Sequence, residues 1–292
     1  MKTYSEIYLA AGKTLRGAGV EASNLEARLM AASATGKTVE EFLRDARLYV
    51  ADDSFEEAMD AMVRRRLQGE PVAYITGLWE FHGLPLFITP DVLIPRDDTE
   101  VLADQAIAFA RDAEREIRML DLCCGSGCIG LAVASEIPTI RVVMADISEK
   151  AASVARQNAM RNRLTRCVTC LTADALQTPP MLLGRFDLIV SNPPYIRTGE
   201  LESLDASVRD YEPREALDGG EDGLMFYRAV AEKWCAVLKP GGAVMFECGE
   251  DQSAAVREIL ADRGFTDIET VKDTRGIERV VTGKLQTEEK EG

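Results

Sequence analysis

From residue 98 onward, short apolar runs alternate with stretches whose apolar positions recur at helical spacing. The runs at 117–122, 141–145, 168–172, 186–191 and 243–247 read as strands, and helical patterns fall between them. Such alternation predicts a parallel sheet with helices on both faces. A helical pattern near 252–263 is followed by strands near 268–272 and 279–282. No room remains for a helix between those two, so they are expected to pair antiparallel.

The first 73 residues follow a different rhythm and read as helices. Three capping boxes are predicted: Ser23 with Glu26, Thr38 with Glu41, and Ser54 with Glu57. Leu25, Leu29 and Ala32 follow the first box at helical spacing, as Phe55, Met59 and Met62 follow the last. Arg64, Arg65 and Arg66 read as a solvated helix end. Between residues 74 and 95, LWEFHG and LPLFIT are short, aromatic and β-branched, which predicts a hairpin linker. His82, the only histidine, lies in it and is assigned a structural role. The expected domains are therefore 1–73 helical, 74–95 hairpin linker, 96–283 the α/β domain and 284–292 a disordered tail.

Composition narrows the class. The 292 residues are 46% hydrophobic and 28% charged, as in a globular protein that can bury a proper core. No apolar run reaches the roughly 20 residues that span a bilayer, and the first residues lack a signal-peptide pattern. A cytoplasmic protein with no membrane association is expected. The seven cysteines are an odd number, which argues for reduced thiols. Cys167 and Cys170 have metal-site spacing, but no second pair or histidine completes a site, so no metal is expected.

Charge is informative by its distribution. Of the net −15, residues 1–73 carry −2 and the rest −13. An acidic body repels phosphate backbones, so no direct nucleic-acid partner is expected, whereas a basic protein partner is.

The candidate chemistry begins where the first strand of the α/β domain runs into DLCCGSGCIGLAVA. Gly125 and Gly127 let the backbone approach a ligand, and the following helix presents free N–H groups. Cys123, Cys124 and Ser126 complete this turn. Asp121 closes the strand, where its carboxylate can meet an amino group or order the turn. The next strand ends at Asp146, about 20 residues beyond the glycine turn, where an acid can accept both ribose hydroxyls. The third ends at Asp174, placed for an adenine amino group with Ala175 beside the ring. Acids at the carboxyl ends of neighbouring strands mark a nucleoside site. A pyrophosphate would prefer less negative charge there, whereas a sulfonium cofactor tolerates it.

Strand four delivers FDLIVSNPPYI. Pro193 and Pro194 fix φ and remove two N–H donors, so the loop is stiff. The Asn192 side-chain oxygen and the Pro193 carbonyl then present two acceptors for the hydrogens of an NH₂ group. Tyr195 can pack on a flat substrate. An amide or aromatic amine is a poor nucleophile because its lone pair is delocalised. Holding both hydrogens helps nitrogen rehybridise toward a sulfonium methyl, a reaction that needs orientation more than a strong base.

The segments EPVAYITGLWEFHGLPLFITPDVLIPRDDTE, SNPPYI, YEPREALDGGEDGL and GIERVVTGK, with the glycine turn, resemble the HemK/PrmC family over most of residues 70–283. The resemblance implies a Rossmann-like S-adenosylmethionine methyltransferase sheet, mostly parallel with an antiparallel last strand, behind a small helical domain. It implies methylation of the glutamine of the Gly-Gly-Gln motif in peptide chain release factors. It further implies that residues 123–127, Asp146 and Asn192 contact S-adenosyl-L-methionine and that Asn192 to Tyr195 hold the glutamine. Two positions depart from the family pattern: Cys123 replaces a usual glycine and Asp97 a usual proline. Arg96, Thr99 and Glu100 either border the cofactor pocket or start a helix with Thr99 near its cap. The rival reading is methylation of an exocyclic amine in DNA or RNA, which needs a basic groove or an added recognition domain. A monomer is expected, with the helical domain recognising the substrate protein.

Overall fold

The computed structural model describes residues 1–113 and 115–286, and these form two compact units. Unit one comprises Met1–Leu78 together with Asp205–Tyr211, and unit two holds the rest.

Unit one contains helices α1 (Tyr4–Gly17), α2 (Ser23–Thr35), α3 (Val39–Asp45), α4 (Ser54–Leu67) and α5 (Val72–Thr76). The unit therefore runs to Leu78 rather than to residue 73. Of the three predicted capping boxes, only Thr38 with Glu41 forms, and a further box, Thr3 with Glu6, opens α1. Ser23 and Ser54 instead lie inside their helices, whose N-cap positions are Ala22 and Asp53 without side-chain caps. Glu26 is drawn elsewhere: Arg66 Nε and Nη2 donate to its two carboxylate oxygens at 2.6 and 3.2 Å. Arg65 likewise pairs with Glu70, so two of the three arginines at the end of α4 serve the unit internally. The buried face of α2 is Ala27, Met30 and Ala31 with Ala32, while Leu25 is exposed. The segment Asp205–Tyr211 includes α9 (Ala206–Arg209), and the Tyr211 hydroxyl donates to the Gln68 carbonyl at 2.9 Å.

Unit two begins at Trp79, within the first strand of the hairpin β1 (Leu78–Phe81) and β2 (Leu84–Phe87). Its two-residue turn, His82-Gly83, has φ of 51° and 72°, the paired positive values that match hairpin twist. No acid adjoins His82 in the chain, Glu80 standing two residues before it, and the fold brings Asp104 Oδ1 within 3.0 Å of its Nε2.

Then follow α6 (Glu100–Asp112), β3 (Arg118–Leu122), α7 (Cys128–Glu136), β4 (Arg141–Asp146), α8 (Glu149–Arg161), β5 (Val168–Thr172) and β6 (Phe186–Ser191). The chain closes with α10 (Met225–Ala229), β7 (Leu238–Glu247), α11 (Ser253–Asp262), β8 (Phe265–Lys272) and β9 (Glu278–Leu285). The sheet order is β5-β4-β3-β6-β7-β9-β8, and β9 is antiparallel to both of its neighbours. Sheet and helices form a Rossmann-like α/β fold. Strand β7 begins earlier than the expected 243, at Leu238: Pro240, Gly241 and Gly242 form an irregularity within the strand, which pairs again at Ala243. Strand β9 reaches Leu285, into the stretch expected to be a tail, whose residues 287–292 lie outside the described ones.

The packing follows the alternation of strand side chains. Leu120 and Leu122, Val143 and Ala145, Ile189, and Val244 and Phe246 share one core with Tyr227, Trp234, Val256 and Leu260. On the other face α7 lies close against β4. A Cβ added at Gly127 or Gly130 would stand 2.9 Å from Met144 side-chain atoms. All six residues of β6 are buried, as in a central parallel strand. This order delivers the carboxyl ends of β3, β4, β5 and β6, where the direction of the chain reverses, to one crevice.

Candidate active site

A cavity of about 370 Å³ opens at those ends. Among the sequence-predicted residues, Cys123, Cys124, Gly125, Ser126, Asp146, Asp174, Ala175, Asn192 and Pro194 line it. Asp121, Gly127, Pro193 and Tyr195 stand outside the lining.

The glycine turn is held from three sides. Gly125 N–H donates to Asp146 Oδ2 at 2.8 Å, and Ser148 N–H donates to Oδ1 at 2.9 Å. Each oxygen keeps a lone pair for a further donor. Asp121 is fully buried and accepts from Gly130 N–H at 2.9 Å, so of its two expected roles it performs the ordering of the turn. Its Oδ1 has no partner, and burial pushes its carboxyl up to about 7. Asn158, fully buried on α8, donates to the carbonyls of Ser126 and Phe87, both at 3.0 Å, and ties hairpin to turn.

Cys123 adopts φ 61°, in the left-handed region that glycine occupies freely. Holding this region with a side chain, where the resemblance expects glycine, costs about 1 kcal/mol. Burial pushes the Cys123 and Cys124 thiols far up, so these are protonated groups rather than nucleophiles. Among the described residues all cysteines are unbridged, and no cluster of three His, Cys, Asp or Glu could hold a metal.

At β5, Asp174 Oδ1 accepts from Leu176 N–H at 2.8 Å, and the Ala175 carbonyl accepts from Trp234 Nε1 at 3.0 Å. Ile147, exposed and beside Asp146, also lines the cavity.

The loop after β6 is braced by residues that carried no obvious motif. Gln252 Nε2 donates to the Tyr195 carbonyl at 2.8 Å, and a Cβ on Gly219 would lie 2.7 Å from Tyr195 Cα. Only glycine admits that approach. Burial pushes the Tyr195 phenol well above its ordinary range, so it stays neutral. Asn192 Nδ2 lies 3.2 Å from Thr99 Oγ1. Thr99 stands at the N-cap position of α6 and also lines the cavity, so both of its expected places hold, but its hydroxyl caps no backbone N–H and faces Asn192 instead. Arg96 pairs with the buried Glu212 at 2.5 Å, and Ile94 N–H donates to the same carboxylate. Glu247, at the end of β7, is 1% exposed, and burial pushes its carboxyl up to about 7. It was legible by the rule that singled out Asp146, since it is an acid closing an apolar strand.

The donor set fits a cationic nucleoside. Acceptors of Asp146 and Asp174 face a mostly apolar cavity, and the buried Ser126 hydroxyl on its wall has no partner. Fold and site together define an S-adenosylmethionine-dependent methyltransferase.

Comparison with known proteins narrows the class. Residues 6–77 match the family model described as the PrmC N-terminal domain, and 101–209 match the methyltransferase small domain. A release factor glutamine methyltransferase from Geobacter sulfurreducens is 42% identical over 91% of each chain. Another, from Agrobacterium fabrum, is 40% identical over 96% of each. A methyltransferase structure from Pyrococcus furiosus shares the fold, with a TM-score of 0.51 and 19% identity over 76% of this chain and 97% of that one. The chain belongs to the release factor glutamine methyltransferase family. No helix among the described residues is long and apolar enough to cross a membrane.

Proposed function

We propose that the protein transfers a methyl group from S-adenosylmethionine to the side-chain amide nitrogen of the glutamine in the Gly-Gly-Gln motif of peptide chain release factors. The cofactor, when bound, supplies an electrophilic methyl on a positively charged sulfur. Asp146 would accept the ribose hydroxyls, Asp174 the adenine amino group, and residues 123–127 would follow the rest of the nucleoside. Asn192 and the Pro193 carbonyl would accept the two amide hydrogens, with Pro194 and Tyr195 keeping the glutamine plane fixed.

One observation carries this reading: Asn192 lines the cavity with its nitrogen turned to Thr99, which leaves its oxygen for a substrate donor. The release factor names of the relatives supply the substrate class. The acidic α/β part, with a net −13, suits a basic partner surface.

Helical unit one would recognise the substrate protein. A glutamine side chain is too small to identify one protein among many, and selectivity then needs a second contact surface. The test incubates a release factor with protein and cofactor and locates the added methyl by mass spectrometry. Methylation is expected on the Gly-Gly-Gln glutamine; an unmodified glutamine removes the proposal. A chain beginning at Gly69, shown by circular dichroism to be folded, should bind cofactor yet methylate the intact factor at least tenfold more slowly. An equal rate would remove the recognition role.

A further inference from the structure

We propose that Arg96 binds the carboxylate at the amino-acid end of the cofactor, with Glu212 holding its guanidinium at the cavity wall. The inference rests on the placement of the ribose at Asp146 and of the adenine at Asp174, not on the identity of the methyl acceptor.

Besides its sulfonium, S-adenosylmethionine carries an ammonium and a carboxylate on the amino-acid chain. The two cationic groups suit an acidic crevice, and the carboxylate does not. Asp91, Asp146, Asp174, Glu215 and Asp218 all line the cavity, and among the described residues Arg96 is the one lysine or arginine that joins them. Entering such a crevice without a counter-charge would cost the carboxylate its hydration and set it against like charges. The glycine turn has few donors left to offer it. The N–H groups of Cys124, Gly125, Gly127 and Gly130 already donate to the Ala145 carbonyl, Asp146, the Cys124 carbonyl and Asp121, at 3.1, 2.8, 2.7 and 2.9 Å.

Arg96 also stands on the side where the carboxylate is needed. The sheet sets β5, β4, β3 and β6 in a row, with Asp174 just past β5 and Asp146 closing β4. Thr99, whose N–H donates to the Arg96 carbonyl at 3.0 Å, meets Asn192 just past β6. Arg96 is thereby tied to the β6 end, across the glycine turn from the two acids assigned to the nucleoside. In the cofactor, ribose and amino-acid chain are separate substituents of the sulfur. A ribose at β4 and a methyl turned to Asn192 leave the amino-acid chain the β6 side of the turn.

Neutralising Glu212 is not enough to explain Arg96. Glu212 has a side chain only 1% exposed, and it accepts from Arg96 Nη2 at 2.5 Å and from the Ile94 N–H at 3.4 Å. Nε and Nη1 of Arg96 have no hydrogen-bond partner among the described residues, and its side chain is 39% exposed on the cavity wall. A buried ion pair gives a fold little that apolar packing would not. What this one does is aim a planar fork of donors, the shape that takes a carboxylate through two parallel bonds.

Calorimetric titration of the full chain with S-adenosylhomocysteine, and with the same compound lacking its carboxylate, tests the assignment. The parent should bind the intact compound roughly tenfold or more tightly than the decarboxylated one. Arg96→Met should weaken the intact compound about ten- to a hundredfold and the decarboxylated one less than about threefold. Arg96→Lys keeps the charge but not the fork, and should fall between the two. Equal losses for both ligands would make Arg96 a structural residue and overturn the proposal. So would unchanged binding of both with a raised KM for release factor, which would assign Arg96 to the protein substrate. Arg96→Met leaves Glu212 without its cation; should it not fold, the pair Arg96→Met with Glu212→Gln takes its place under the same criteria. A parent that binds the two ligands alike overturns the proposal without any variant. Asp146→Ala should weaken both ligands to the same extent, since both carry the ribose, and a failure there alone strikes the ribose placement. If the parent leaves the release factor glutamine unmethylated, the functional reading fails, while the two titrations still decide Arg96.

Discussion

The two ends of the seven-stranded sheet treat buried acid in opposite ways. Near the amino ends, Asp187 is 1% exposed and would be expected to resist ionisation. It receives Arg115 at 2.7 Å, Lys239 at 2.8 Å and the Arg118 N–H at 2.8 Å. Burial pushes its carboxyl up, but these donors prevail and hold it below the ordinary range. At the carboxyl ends, Asp121, Asp146 and Glu247 are all pushed up, burial being the largest cause. One end compensates its acid with cations of the protein. The other leaves its acids short of positive charge, which suits a crevice that takes a cationic cofactor. The first arrangement serves stability and the second serves binding.

Substitutions at the two ends should therefore fail differently. Asn192→Ala is expected to reduce kcat by about 10²-fold or more through lost orientation, with cofactor affinity changed far less. Single-turnover kinetics alongside calorimetric titration separates the two quantities, and near-normal turnover would sink the assigned role. Asp146→Ala should do the reverse. Loss of a charge-assisted contact to ribose weakens binding of S-adenosylmethionine and of its demethylated product by roughly 2 kcal/mol, about 30-fold. Unchanged affinity for both would place the ribose elsewhere.

The smallest effect sharpens the comparison most. A carboxyl pushed up to about 7 from 3.8 contributes stability that is present below pH ~4 and lost as pH rises through 7. Asp121→Asn should therefore flatten the decline in stability between pH 5 and 8 by about 1–2 kcal/mol. Asp187→Asn should show the opposite sign, losing stability that exists only above the ordinary aspartate range, with little left to lose in acid. Urea titrations at about pH 5 and 8 check the first, and titrations at about pH 5 and in acid below pH ~4 check the second; stability slopes of the same sign for the two variants would erase the distinction between the ends.

What could be read from the sequence depended on how far apart the cooperating residues lie. Strand 186–191 appears with the bounds expected of it, because a buried parallel strand is a local apolar run; the edge strand 168–172 also keeps its expected bounds, although only Val168 of it is buried. The glycine turn and Asp146 were legible for the same reason, since the signal lies within some 25 residues. Capping was less legible. Ser23 with Glu26 has the right local pattern, but Glu26 answers Arg66, forty residues away. Thr99 and Asn192 are 93 residues apart, and the Gln252 brace on Tyr195 spans 57. Such pairings are set by sheet order, which brings β6 and β7 side by side, and no periodicity announces them.

The composition of unit one has a consequence for how the protein is made. Its helices α1 to α5 are synthesised first, yet the unit also includes Asp205–Tyr211, which follows β6 in the chain. At about 5–20 residues per second, that segment leaves the ribosome roughly six to twenty-seven seconds after Leu78. The amino-terminal helices must wait for that interval with the Gln68 carbonyl lacking the Tyr211 hydroxyl. The first unit to emerge is completed only after most of the sheet has been translated.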